Sequence, residues 1–289
     1  MSLRPLYARP RTLADAGALL ASIKTGAVVI AGGQDMMPHI NHGRLMPAAV
    51  IDIGAVAELR GITTSADVVS IGALVTHRDL EHDATIARLL PILAAGAGQI
   101  GGGRQVRNRG TVGGNIAAQH PLYDIAPPLL ALEAEIEIHG DGATHRIALA
   151  AALNDAGIGL GARSILARIH VSAPEPGTGW AYRKLKATGG AYGSANAAAL
   201  VALTRNEVST LRIVIGAASE RLVDATAALA HLIGRTWNEH MADEIEAVCA
   251  GAIGEPLSDH QGGGAWRRAM AGVMARRAVT DAVARTKAA

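Results

Sequence analysis

Arg107-Asn108-Arg109-Gly110-Thr111-Val112-Gly113-Gly114-Asn115 decides how this chain is read, because a second glycine turn, Ile30-Ala31-Gly32-Gly33-Gln34-Asp35, lies earlier in it. Each turn pairs two glycines and ends on polar side chains. Glycine reaches φ > 0 and lets successive N–H groups converge on an anion without a Cβ in the way. The two turns are therefore read as backbone cradles for phosphate oxygens. The competing reading of each is a tight turn, with Thr111 and Asn115 bonding their own backbone.

Working outward, Thr12 is expected to cap a helix over 12–23, whose Leu13, Ala16, Leu19, Leu20 and Ile23 share one face. Ala27–Ile30 reads as a buried strand running into Gly32-Gly33, and Ala49–Ile53 as a second. A phosphate-type loop at the carboxyl end of a strand is where ligands of α/β folds sit. Val68–Gly72, 134–138 and Ile165–Val171 read as further strands, the last two on their alternation, and Ile125–Leu132 as a helix. Pro174–Gly179 is the best linker. Beyond it we expect a strand over Ala181–Lys186, an alanine-rich helix over Ala195–Leu203, a strand over Leu211–Ile215 and closing helices. The last helix carries Trp266, Met270, Val273, Met274 and Arg277 at helical spacing. These breaks divide the chain into lobes at 1–56, 57–176 and 177–289.

Composition narrows the function. Among 289 residues, 49% are hydrophobic but only 2% aromatic, with no Phe, so the core must be built from Ala, Leu, Ile and Val. A net charge of +2, without a clustered basic face or stacking aromatics, argues against nucleic acid. Cys249 is the one cysteine, which excludes an intramolecular disulfide, a Cys-rich zinc site and an iron–sulfur cluster carried by this chain alone. No histidine pair has metal-ligand spacing, and His39, His42 and His77 are taken as surface or loop residues. No catalytic constellation and no metal site is expected. The N-terminus lacks the apolar core of a signal peptide and no apolar run would span a bilayer, so the expected location is the cytoplasm.

These motifs resemble those of the FAD-binding medium subunits of the molybdenum hydroxylases, the xanthine dehydrogenase superfamily, and within it those of aerobic carbon monoxide dehydrogenases. Ala31-Gly32-Gly33-Gln34-Asp35-Met36-Met37-Pro38 has the form AGG-x-[SD]-x-x-P, and Arg107–Asn115 the form R-x-x-[GA]-T-[IV]-G-G-N. Tyr182-Arg183-Lys184-Leu185-Lys186 matches a Y-x-K-L-K stretch, and Arg267–Met274 resembles the closing helix. The resemblance implies an α+β, vanillyl-alcohol-oxidase (PCMH)-type FAD domain of two α/β lobes, followed by a C-terminal α/β lobe of the carbon monoxide dehydrogenase flavoprotein type. It also implies partners: a small subunit with [2Fe–2S] clusters and a large one with molybdopterin, in a dimer of heterotrimers. The chain departs from the family pattern at His120, which replaces an acidic residue, and at Gly190-Ala191-Tyr192, which lacks an Asp.

By this resemblance Ala31, Gly32, Gly33, Gln34, Asp35, Thr111, Gly113, Gly114 and Asn115 hold the FAD phosphates and ribose. Asp124 would accept from a ribose or ribityl hydroxyl, or else simply cap the helix after it. Lys184 would face the flavin N1–C2=O edge, Tyr192 would stack at the ring or be a partly buried lobe residue, and Leu166 would wall the ring or pack in the core. Arg267, Arg268, Arg276 and Arg277 read as a solvated helix face, with a docking surface for an acidic partner as the alternative. Two rival functions stay open: a self-sufficient flavoenzyme like the enolpyruvylglucosamine reductases, with Tyr192 or Ser194 as proton donor, and an assembly module that has lost its flavin.

Overall fold

The computed structural model describes residues 5–23, 25–154, 160 and 162–286. They form two compact units, each built from separate stretches of chain: one from 1–79, 104–119 and 133–172, the other from 80–103, 120–132 and 173–289.

The first unit holds two sheets. Strands β1 (Leu6–Ala8), β2 (Ala27–Ile30) and β3 (Ala49–Asp52) make a parallel sheet in the order β1-β3-β2. The crossover between β1 and β2 is the Leu13–Ser22 helix, and Thr12 caps it by accepting the Asp15 N–H at 3.1 Å. Ala16 and Leu20 of that helix pack with Ile51 and Ile53 in one core. The second sheet is antiparallel, with β4 (Ile62–Ser65), β5 (Val68–Gly72), β6 (Glu135–Gly140), β7 (Ala143–Ala148) and β8 (Ile165–Ser172) in the order β4-β5-β8-β6-β7. Strand β8 lies where the alternation of Ile165, Ala167, Ile169 and Val171 led us to expect a strand, but it is central and buried on both faces along nearly its whole length, not on one face only. Residues 155–159 and 161 lie outside the described set.

The second unit carries an antiparallel sheet, β12-β11-β10-β9, with β9 (Gly179–Leu185), β10 (Ala195–Thr204), β11 (Glu207–Gly216) and β12 (Val223–Asp224). The helix expected at Ala195–Leu203 is therefore a strand. Alanine favours helix intrinsically, but tertiary context overrides so weak a preference. Here Ala195, Ala197, Ala199 and Val201 face the Gly264–Thr286 helix in one core, and only small side chains allow the close approach. A Cβ on Gly179 would fall 1.9 Å from the Ala282 carbonyl oxygen.

The buried face of that last helix also differs from the expected one. It runs through Arg267, Ala271, Met274, Ala275, Ala278, Val279, Ala282 and Val283, while Trp266 is 42% exposed. The long apolar residues are a poor guide in a core made of alanine. No helix among the described residues is long and apolar enough to cross a membrane.

Candidate functional site

In the first unit the two glycine motifs lie against each other. Gly32 and Gly33 follow β2 and lead into the short Met36–Asn41 helix. A Cβ on Gly32 would fall 1.8 Å from the Arg109 carbonyl oxygen and 3.2 Å from the Gly110 Cα. Gly33 has φ 74°, the left-handed conformation expected of it. Among the described residues the N–H groups of Gly32, Gly33 and Gln34 have no acceptor. Successive free N–H groups on such a bend can bind an anion. Asp35 stands before the short helix without a capping bond from its side chain.

The second motif is built differently from the expected open loop. Gly113 and Gly114 do not have positive φ; they lie in the first turn of the Val112–Ala117 helix. Thr111 caps it, its Oγ1 accepting the Gly114 N–H at 3.2 Å. The Val112 and Gly113 N–H groups donate to the Val75 and Ala73 carbonyls, and Asn115 N–H donates to the Thr111 carbonyl. The donors of this turn are thus engaged within the unit. Gly113 is needed for packing, because a Cβ there would meet the Ala73 Cβ at 2.5 Å. Among the described residues the buried side-chain oxygen of Asn115 has no partner.

His77 corrects a second expectation. It is buried, not on the surface, and its ring lies under Gly110, where a Cβ would meet the His77 Cδ2 at 2.7 Å. Its backbone N–H donates to the Gly110 carbonyl at 3.0 Å, and its buried Nδ1 has no partner among the described residues. Burial, assisted by the Arg107 charge, lowers its pKa to about 4. His39 and His42 are exposed, as expected. Leu166 is buried in β8 opposite Ile138.

The second unit brings Asp124 and Lys184 together. The Lys184 ammonium donates to Asp124 Oδ2 at 2.7 Å and to the Gln99 carbonyl at 3.1 Å, and the Tyr182 hydroxyl donates to Asp124 Oδ1 at 2.6 Å. Asp124 does not cap the Ala126–Ala131 helix, whose cap position is Ile125 with no side-chain bond. Both ionic side chains are almost fully covered. Burial pushes the Asp124 carboxyl above its usual value against the opposing pull of Lys184 and Tyr182, and burial beside that carboxylate pushes the Tyr182 hydroxyl well up. The alternation of Tyr182 and Lys184 on β9, which sets both on one face, was the signal that could have found Tyr182.

Tyr192 is 47% exposed and joins a stack of rings. Its centroid lies 5.6 Å from that of His120 and 6.0 Å from that of Tyr123, with His120 and Tyr123 4.6 Å apart and all planes within 24°. Arg267 is fully buried rather than solvated, whereas Arg276 is half-exposed and paired with Asp243 and Glu246. Cys249 is buried in the core of this unit, and burial pushes its thiol up to about 12.

Comparison with known proteins gives the family. Residues 1–174 match the family described as the FAD binding domain in molybdopterin dehydrogenase, and residues 180–282 the CO dehydrogenase flavoprotein C-terminal domain. The chain belongs to the FAD-binding medium subunits of the molybdenum hydroxylase family. It is 34% identical to the carbon monoxide dehydrogenase medium chain of Hydrogenophaga pseudoflava, over 96% of this chain and 97% of that one. It is 30% identical to the nicotine 6-hydroxylase medium subunit of Paenarthrobacter nicotinovorans, over 97% and 98%. A solved structure of carbon monoxide dehydrogenase from H. pseudoflava superimposes with a TM-score of 0.93 at 32% identity, covering 99% of both chains. The fold is thus the PCMH-type FAD domain followed by the flavoprotein C-terminal domain.

Proposed function

We propose that this chain is the FAD-carrying electron-transfer subunit of a heterotrimeric molybdenum hydroxylase, working with a small [2Fe–2S] subunit and a large molybdopterin subunit in a dimer of heterotrimers. The observation that carries the reading is the free run of N–H groups at Gly32, Gly33 and Gln34, packed through Gly32 onto the second glycine motif. That run fits an anionic diphosphate. The unpartnered Asn115 oxygen fits a hydroxyl donor such as a ribose. Bound FAD would take up electrons from the partner's clusters and pass them to an external acceptor.

The chain's own residues bind and orient. Ala31, Gly32, Gly33, Gln34, Asp35, Thr111, Gly113, Gly114 and Asn115 hold the phosphates and ribose, Asp124 accepts from a ribose or ribityl hydroxyl, Lys184 faces the flavin N1–C2=O edge, and Tyr192 and Leu166 cover the ring. One cysteine cannot ligate a cluster of its own, so the iron–sulfur centres belong to a partner. Each lobe, 1–56, 57–176 and 177–289, carries one of the three sheets, and the working location is the cytoplasm.

The full chain, purified with its flavin, should release FAD rather than FMN on mass analysis. That flavin should bleach with dithionite yet stay oxidised with purines, aldehydes or carbon monoxide. Adding the cluster-bearing and molybdenum-bearing subunits should restore substrate-dependent bleaching. Substrate-driven bleaching by this chain alone would overturn the reading in favour of a self-sufficient flavoenzyme.

A further inference from the structure

Arg267 is the largest fully buried side chain of the described residues, and it sits in the first turn of the Gly264–Thr286 helix. Its Nη1 donates to the Ser194 carbonyl at 3.0 Å and the Ala217 carbonyl at 2.7 Å, and its Nη2 to Asp259 Oδ1 at 2.5 Å. Both carbonyls belong to anchored segments. Ser194 N–H donates to the Leu185 carbonyl at 2.8 Å, which fixes the chain two residues after Tyr192. Ala217, held at φ 61°, donates its N–H to the Pro121 carbonyl at 3.0 Å, which fixes the chain between His120 and Tyr123. One guanidinium therefore ties together the two segments whose rings stack. Its planar fork can satisfy both carbonyls and a carboxylate at once; an ammonium cannot hold the same fixed geometry.

We propose that Arg267 is a positioning residue that sets the His120–Tyr123–Tyr192 stack from the C-terminal helix, and that through Tyr192 it sets the aromatic cover of the flavin. The second step rests on the FAD reading above; the first does not.

The test compares Arg267→Lys, Tyr192→Leu, the double variant and Arg268→Lys, each as the full chain loaded with FAD. The crystal structure of Arg267→Lys should show Tyr192 moved away from His120 and Tyr123. Its flavin fluorescence should rise severalfold toward that of Tyr192→Leu, and the double variant should rise no further, a coupling that general loosening would not produce. Arg268→Lys should change nothing, since Arg268 donates to the Ile253 and Gly254 carbonyls instead. Rings left in place by Arg267→Lys would overturn the proposal. Rings displaced while Tyr192→Leu leaves the fluorescence unchanged would uphold the positioning role and remove the flavin-cover reading. Should Arg267→Lys fail to fold, Asp259→Ala, which frees Nη2, is read by the same ring positions: displacement supports the proposal and undisturbed rings overturn it.

Discussion

Gly32 packs so closely on Arg109 that a single added carbon would lie 1.8 Å from the Arg109 carbonyl oxygen. Two motifs more than seventy residues apart in sequence are thereby one piece of backbone. Gly32→Ala must push them apart. It should abolish FAD retention while far-ultraviolet circular dichroism stays close to the parent's. Gly43→Ala is the control: its φ of 67° costs an L-residue about 1 kcal/mol, but none of the described residues lies within 4 Å of the added carbon, so flavin content should hold.

Thr111 joins the turn to the Val112–Ala117 helix through its hydroxyl. Thr111→Ala should lower stability by about 1 kcal/mol, the usual worth of such a cap, and weaken FAD binding. Thr111→Ser keeps the acceptor and should restore both. Denaturant titration and flavin titration read the two effects separately.

The Asp124–Lys184 pair is covered on both sides. Lys184→Met strands a buried carboxylate and should cost about 3–5 kcal/mol. Adding Asp124→Asn removes the stranded charge and should recover most of that loss. Equilibrium unfolding of the flavin-free chain measures the cycle; equal destabilisation in the single and double variants would contradict it.

His77 makes stability depend on pH. As pH falls below 6.5 the unfolded chain takes up a proton that the folded ring refuses until about 4. The contribution of the neutral ring is complete above 6.5 and disappears as pH falls to about 4, about 3 kcal/mol in all. His77→Gln should flatten the fall in melting temperature between pH 7 and pH 4.5. An unchanged slope would show that another group governs it.

Most strands, the Thr12 cap and the two motifs were legible because each is a local pattern: alternation, a capping hydroxyl, a glycine pair. What was not legible depends on distant neighbours. Ala195–Leu203 carries a helical composition, and only the helix packed on its sheet makes a strand of small residues favourable. Arg267 looks like its solvated neighbours in sequence, because its acceptors lie at Ser194, Ala217 and Asp259. His77 gives no sign of burial until Gly110 is seen above it. Gly113 and Gly114 carry the family pattern, yet nothing local says that they enter a helix rather than a left-handed turn.

Strand β8 has a consequence for the order of synthesis. It fills the middle of its sheet, pairing Val68 with Ser172 and Glu135 with His170. The β4–β5 hairpin leaves the ribosome about one hundred residues before its partner strand exists. At about 5–20 residues per second that interval lasts about 5–20 seconds. During it Val69 and Ile71, both wholly buried in the finished protein, lie on a strand that is paired with β4 on one side and open on the side that later receives β8. An edge of that kind is a template for pairing with another chain, so the nascent polypeptide is most vulnerable to aggregation while it waits for residues 165–172.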